Sequence, residues 1–243
     1  MGAGFGNVTY KRGQVEWALW RAFTLARSPG DGPPSIFRTR VKRLLDLDRE
    51  LDSSEMEVPP TCAFAFVEPS DGGSGFEVQY ASFDVFCLAI GLDLLDVGFK
   101  QGEIVLLMRY LRATLTDWFD DLVKRPSLID RQVRLAKNHP HLPSVERGAG
   151  RAPIADARVF LILNRIEMTE LMPAARTKLG QAIFLEPEIC EGVAGLCQRL
   201  DALMPRHRRT VVTLEIAAIA QAVSAFLDEA PVVPRGRPPR SKS

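Results

Sequence analysis

The sequence has 243 residues, of which 46% are hydrophobic and 25% charged, so its length and composition are those of a globular protein with one large or two ordinary domains. The net charge of +1 is unevenly distributed, because four of the 31 basic residues lie in the last eleven positions and the other 27 are outnumbered by 30 acidic residues. This balance excludes a uniformly basic, nucleic-acid-coating protein and allows local basic surfaces.

The N-terminal part of the chain predicts two helices, the second of them basic. Residues 9–27 place apolar side chains at helical spacing, and the Pro- and Gly-rich segment 28–35 interrupts the pattern. Helical spacing resumes over 37–51, with Val41 and Leu44 on the apolar face. The first turns of this second helix carry no acidic residue and four basic ones, Arg38, Arg40, Lys42 and Arg43. The pattern predicts one face for packing and one for an anionic partner.

In the next segment the apolar residues no longer recur at helical spacing. Within residues 61–80, the strand-like runs TCAFAFVE and FEVQY flank the turn-forming PSDGGSG, which predicts a β-hairpin. Helical spacing returns over 83–97, breaks at Gly98 and continues over 101–123.

The C-terminal part predicts a second unit. We interpret 1–125 as one domain, 126–156 as a linker and 157–230 as a small α+β domain. The elements expected in that domain are strands at 157–167 and 182–189, a helix at 190–204, and either a strand leading into a helix or a single helix over 211–230. A disordered basic tail is expected over 231–243.

The predicted fold class is therefore a mostly helical α+β protein. The order of helix, basic helix, β-hairpin and further helices is that of a winged helix, in which the second helix enters the major groove of DNA. Arginine suits this position because its guanidinium forms two parallel hydrogen bonds with a guanine edge.

One segment carries a family resemblance. GFKQGEI at 98–104 resembles the Gly-Phe-Ser-Leu-x-Glu-Ile turn of MerR-type regulators, and Asp84 precedes it at the spacing of the acidic residue that opens the preceding helix. TYKRGQVEWAL is similar to the start of that family's domain, and GFEVQY to its wing. The resemblance covers roughly residues 8–115 and implies a DNA-binding winged helix. It adds Lys11 and Arg12 to the residues expected to contact DNA. A different domain replaces the family's long dimerisation helix, and we expect it to serve dimerisation, partner contact or ligand sensing.

The tail carries a second resemblance. Arg235, Gly236, Arg237 and Pro238 resemble the core of an AT-hook, an extended segment that lies in the minor groove of A·T-rich DNA. Glycine lets the backbone reach the groove floor, proline keeps the chain extended, and the guanidinium groups enter the negative groove. The alternative is a tail that only aids solubility.

Other candidate sites are less well supported. Cys190 and Cys197 would share a helix face but are more typical of a core than of a metal site, and His139 and His141 have no third ligand nearby. No nucleophile elbow, phosphate-binding lysine loop or zinc-protease motif occurs, so we expect no enzyme, no metal and no cofactor.

The sequence as a whole predicts a cytoplasmic, nucleoid-associated DNA-binding regulator that binds double-stranded DNA, and it leaves open whether the protein forms a homodimer. No apolar run reaches the ~18 residues of a membrane span, the first residues lack the order of a secretory signal, and the cysteines suit a reducing compartment. The alternative is a protein–protein adaptor with a winged-helix scaffold, which the acidic residues Asp46, Asp48 and Glu50 beside the basic cluster favour.

Overall fold

The computed structural model describes eight stretches of the chain, which are residues 8–24, 32–51, 62–68, 78–125, 156–166, 183–184, 187–203 and 210–231. In these stretches the protein is mostly helical with small antiparallel sheets, which confirms the predicted α+β class. The described helices are α1 (Arg12–Thr24), α2 (Ser35–Glu50), α3 (Ser82–Asp96), α4 (Gln101–Lys124), α5 (Gly192–Leu203) and α6 (Ile216–Glu229). None of them is long and apolar enough to cross a membrane.

The centre of the helical part is α3, which is buried along nearly its whole length. It ends in a left-handed turn at Gly98, where φ is +94° and the N–H groups of Gly98 and Phe99 donate to the carbonyls of Leu95 and Leu94. Helix α4 then begins, and the Glu103 carboxylate accepts the Lys100 N–H at 3.0 Å. The helix, Gly98 break and helix predicted from the sequence are thus confirmed.

The β-hairpin predicted over 61–80, the wing of the predicted winged helix, is wrong in the residues described there. Residues 62–68 form no strand. The short strand β2 (Gln79–Tyr80) pairs instead with β1 (Tyr10–Lys11) in front of α1, in antiparallel register with Tyr80 opposite Tyr10. The last two residues of the predicted hairpin therefore form a strand, but its partner is the N-terminal segment.

The physical reason is that helix side chains satisfy the backbone groups of Ala65 and Phe66. The Asp48 carboxylate accepts the N–H groups of Ala65 and Phe66 at 2.9–3.1 Å, and Arg112 donates to the carbonyls of the same two residues at 3.1 and 2.8 Å. Phe66 also packs directly on α3 at Gly91, where a Cβ atom would lie 3.0 Å from the phenyl ring. Residues 65–67 are thus buried in an irregular loop, and the backbone groups of Ala65 and Phe66 need no strand partner.

The C-terminal part forms an antiparallel sheet centred on β3. The strands are β3 (Val159–Ile166), β4 (Ile183–Phe184), β5 (Glu188–Glu191) and β6 (Thr210–Glu215). Strand β6 pairs with β3 along one edge, with Leu161 opposite Leu214, while β5 and β4 pair with successive parts of its other edge. Of the two alternatives left open for 211–230, the strand leading into a helix is the one observed.

Helix α6 joins this sheet to the N-terminal helices. It packs against α1, α3 and α4, and its buried residues belong to one hydrophobic core that contains both Leu19 of α1 and Leu161 of β3. The Gln221 amide donates to the carbonyls of Leu122 and Arg125 at the end of α4. The described residues of the two predicted domains therefore share a core, and most of the predicted linker, 126–155, lies outside the described residues.

Candidate nucleic-acid interface

Helix α2 is amphipathic and begins directly after Pro34. Its buried side chains recur at helical spacing, and they are Phe37, Val41, Leu44, Leu45 and Asp48. Proline fixes a backbone angle suited to a helix start, and no side chain caps the N-terminus of α2. The first N–H groups of α2 and the positive end of its dipole therefore lie on the same side of the protein as its first basic residues.

The four predicted DNA-facing cations of α2 are all exposed. The side chains of Arg38, Arg40 and Lys42 are 56%, 50% and 63% exposed, and Arg43 is exposed as well. Among the described residues Arg43 has no acidic partner within ion-pair distance. The predicted separation of a packing face from a basic face is observed.

The other three cations contact acidic side chains. The pairs are Arg38 with Glu16 of α1 at 3.8 Å, Arg40 with Asp96 of α3 at 2.9 Å, and Lys42 with Asp46 of α2 at 2.6 Å. The Arg40–Asp96 and Lys42–Asp46 pairs are accessible to water, and such pairs are worth about 0–1 kcal/mol because water solvates both partners. They position the long side chains without preventing an exchange of the carboxylate for a phosphate.

The first pair links the basic face to the start of α1. The Glu16 carboxylate is 11% exposed and lies between the guanidinium groups of Arg12, at 2.8 Å, and Arg38, at 3.8 Å. Lys11 is half-buried in β1, and its main-chain N–H donates to the Gln14 side chain. The structure therefore brings predicted residue Arg12 beside Arg38, with Lys11 next to it in the chain.

Two acidic residues at the opposite edge affect each other. Burial, together with the negative charge of Asp96, raises the pKa of Asp93 to about 6. Asp96 is 58% exposed and is the partner of Arg40.

The sequence did not reveal the ion pair that orients α2. Arg109 of α4 donates through Nε to the Asp48 carboxylate at 3.0 Å, and both side chains are 2% exposed. The signals were Asp48 at helical spacing with the apolar residues of α2 and an arginine within the apolar run IVLLMRYL, since a charge among buried neighbours needs a partner. Because Asp48 is buried and paired with Arg109, it does not offset the positive charge on the exposed face of α2.

A second pair supports the same arrangement from α3. Arg112 donates to Asp84 at 2.5 Å, and Asp84 also accepts the Ala81 N–H at 2.8 Å at the start of α3. This confirms that Asp84 opens the helix preceding Gly98. With Arg109, Arg112 ties α4 to α2, α3 and residues 62–68.

The remaining predicted residues are either outside the described stretches or in the C-terminal sheet and helix. Arg235, Gly236, Arg237, Pro238, His139 and His141 lie outside the described residues. The expectation that Cys190 and Cys197 share a helix face is wrong, because Gly192, with φ at +68°, ends strand β5 and begins α5 between them. Cys190 is buried and Cys197 exposed. Within the described stretches, no three potential metal ligands cluster.

Comparison with known proteins adds no relative. No protein-family model matches the sequence, and no curated protein matches it. The interpretation of α2 therefore depends on its own geometry and charges.

Proposed function

We propose that this protein is a DNA-binding transcriptional regulator that binds double-stranded DNA through the exposed face of α2. The observation that carries the proposal is the group of four exposed cations in the first half of α2, with no acidic residue among them, opposite a fully buried apolar face. Phosphate neutralisation by such cations supplies most of the affinity of proteins for duplex DNA. The uncapped helix N-terminus favours the same anion.

The resemblance to MerR-type regulators supports the assignment of α2 as the recognition helix. In this reading α1 is the supporting helix and the GFKQGEI turn connects α3 to α4. The rigid attachment of α2 through Asp48 and Arg109 suits a recognition helix, because base contacts require a fixed orientation. The proposal does not depend on a wing.

The tail supplies a second contact in this proposal. The segment from Arg235 to Pro238 would occupy the minor groove of A·T-rich DNA and increase the overall affinity by its tethering to α2. The activity is binding, with no catalytic step, in a cytoplasmic, nucleoid-associated protein.

The salt dependence of DNA binding tests the role of α2. Full-length protein is titrated with a duplex at several salt concentrations, and the logarithm of Kd should change steeply with the logarithm of salt concentration, by about 0.9 per neutralised phosphate. Replacing both Arg38 and Arg40 by alanine should weaken binding and reduce that slope while the thermal unfolding transition persists. Lys124→Ala, which removes an exposed cation of α4, is the matched control and should leave the slope unchanged. Unchanged affinity in the double variant contradicts the assignment.

The tail is tested separately with two duplexes. Removal of residues 231–243 should weaken binding to A·T-rich DNA more than to G·C-rich DNA, because the amino group of guanine obstructs the minor groove. Arg237→Ala should reproduce most of this loss, whereas Lys242→Ala should act evenly on both duplexes. Equal losses on both duplexes would identify the segment as only a charged tail.

The adaptor alternative has one specific observation in its favour. Val97, which follows Asp96, and Ile36, one helical turn before Arg40, are both exposed, and apolar side chains near charged ones are typical of protein interfaces. If this alternative holds, the salt titration will show no duplex binding.

A further inference from the structure

The most exposed large apolar side chain among the described residues lies on the proposed recognition helix. Ile36, in the first turn of α2, is 68% exposed, while its neighbour Phe37 is buried. Single exposed apolar residues are common on protein surfaces and need no function. The surroundings of Ile36 distinguish it, since it is the apolar member of an otherwise polar and cationic face.

Three residues form the outward strip of α2. Ile36, Thr39 and Arg43 are spaced by three and four positions, so they lie along one side of the helix, and all three are exposed. The Thr39 hydroxyl donates to the Ser35 carbonyl within the helix. The strip thus begins with an aliphatic group at the helix N-terminus and ends with a guanidinium about two turns later.

Cations lie on both sides of this strip. Arg38 extends toward α1, where it meets Glu16, and Arg40 extends toward α3, where it meets Asp96. The major groove of DNA has the complementary arrangement, because two phosphate backbones flank a floor of base edges. A duplex is therefore the occupant that matches both the charges and the apolar group.

We infer that Ile36 reads thymine, by packing its side chain on the 5-methyl group in the major groove; the inference depends on the proposed DNA-binding function. Thymine alone among the four bases presents a methyl group there. The N-terminal residues of a recognition helix reach the base edges, and Ile36 is the second residue of α2. Burial of one methyl-sized group corresponds to roughly a fourfold preference for thymine over a base without it.

The experiment compares two duplexes that differ only in this methyl group. One is an alternating A·T duplex of 24 base pairs, roughly two helical turns, and the other contains deoxyuridine at every thymidine. Alternation places thymine beneath α2 in every register. Kd is measured for full-length protein by fluorescence anisotropy at a single salt concentration, and the ratio of the two Kd values isolates the methyl contribution.

Wild-type protein should bind the thymine duplex at least about fourfold more tightly than the deoxyuridine duplex. In Ile36→Ala the ratio should fall toward one, mainly through weaker binding to the thymine duplex. Val193→Ala, which shortens an exposed valine on α5, is the matched control and should keep the wild-type ratio. Because Ile36 is exposed, its substitution should leave the thermal unfolding midpoint unchanged.

The outcomes separate this inference from the proposed function. If wild-type protein binds both duplexes with equal affinity, or if Ile36→Ala keeps the wild-type ratio, the protein binds DNA but Ile36 does not read thymine, and the inference is wrong. If wild-type protein binds neither duplex, the proposed function fails and the inference fails with it.

Discussion

The Asp48 carboxylate and the Arg109 guanidinium form an ion pair of 3.0 Å inside the protein, where each side chain is 2% exposed. Arg109 also donates to the main-chain carbonyls of Asp48 and Leu51. The C-terminal end of α2 is therefore attached to α4 by both side-chain and main-chain contacts. The exposed cations lie at the other end of α2, so the pair orients the basic face without being part of it.

Removal of the buried acid should destabilise the whole protein. In Asp48→Ala, Arg109 keeps a buried charge without this partner, and the N–H groups of Ala65 and Phe66 lose their acceptor. We expect the free energy of unfolding to fall by about 3–5 kcal/mol in a urea titration. Asp46→Ala is the control two residues earlier, and it should change stability by less than about 1 kcal/mol because the Asp46–Lys42 pair is exposed. Equal losses in the two variants would show that the buried pair has no special role.

The N-terminal helices should depend on α6 for their stability. A chain that ends at Arg125 lacks the buried side chains of α6, such as Val223 and Leu227, and leaves parts of α1 and α3 uncovered. Each large apolar side chain contributes about 1.5–3 kcal/mol when buried, and total stabilities are about 5–15 kcal/mol. We expect the shortened chain to lose cooperative thermal unfolding, while a chain ending at Pro231 keeps the Tm of the full protein. A cooperative transition at the same Tm in the chain ending at Arg125 would establish residues 1–125 as an independent domain.

Stability should depend on pH through Asp93. Its folded-state pKa of about 6 lies above the ordinary value of 3.8, so the folded protein binds this proton more tightly than the unfolded chain. Protonation of Asp93 therefore stabilises the folded protein most at about pH 4 and below, and this stabilisation is lost as the pH rises through 6. Allowing for solvent screening of this partly exposed group, we expect about 1 kcal/mol. Urea midpoints at pH 4.5 and pH 7.5 should differ less in Asp93→Asn than in wild type, and identical pH profiles would exclude this contribution.

Neutralisation of Asp96 should strengthen DNA binding. Asp96 pairs with Arg40 and places a negative charge where a phosphate would approach. In Asp96→Asn we expect a decrease in Kd of up to about fivefold, which corresponds to the upper range for an exposed ion pair. Asp120→Asn changes the same charge on α4 beside Lys124 and is the control, expected to leave Kd within a factor of about two. A similar gain in both variants would indicate a general charge effect.

The helices were predictable from the sequence because their signals are local. The predicted bounds of α1 to α4 lie within three residues of the observed ones, since apolar spacing, the prolines before Ser35 and the glycine at 98 all act over one or two turns. The basic face of α2 was predictable for the same reason. Its apolar residues determine which side packs, and the cations occupy the remaining positions.

Strand pairing was less predictable because its partners are distant in the sequence. The alternation of FEVQY correctly indicated a strand at Gln79 and Tyr80, but pairing with Tyr10 instead of the adjacent run depends on how α1 packs. Likewise, the apolar run at 211–230 is compatible with helix or strand, and its first part is a strand because β3 supplies hydrogen bonds along its edge.

By itself the sequence determined the helices, their apolar faces and the concentration of positive charge on α2. Only the tertiary structure decided how residues 62–68 satisfy their backbone and which charges are buried. Helical spacing places Asp48 on the apolar face of α2, but nothing local identifies Arg109, 61 positions later, as its partner. Every buried polar group needs a hydrogen-bond partner. A neighbouring strand, a carboxylate or a guanidinium group can each be that partner, and tertiary packing determines which one it is.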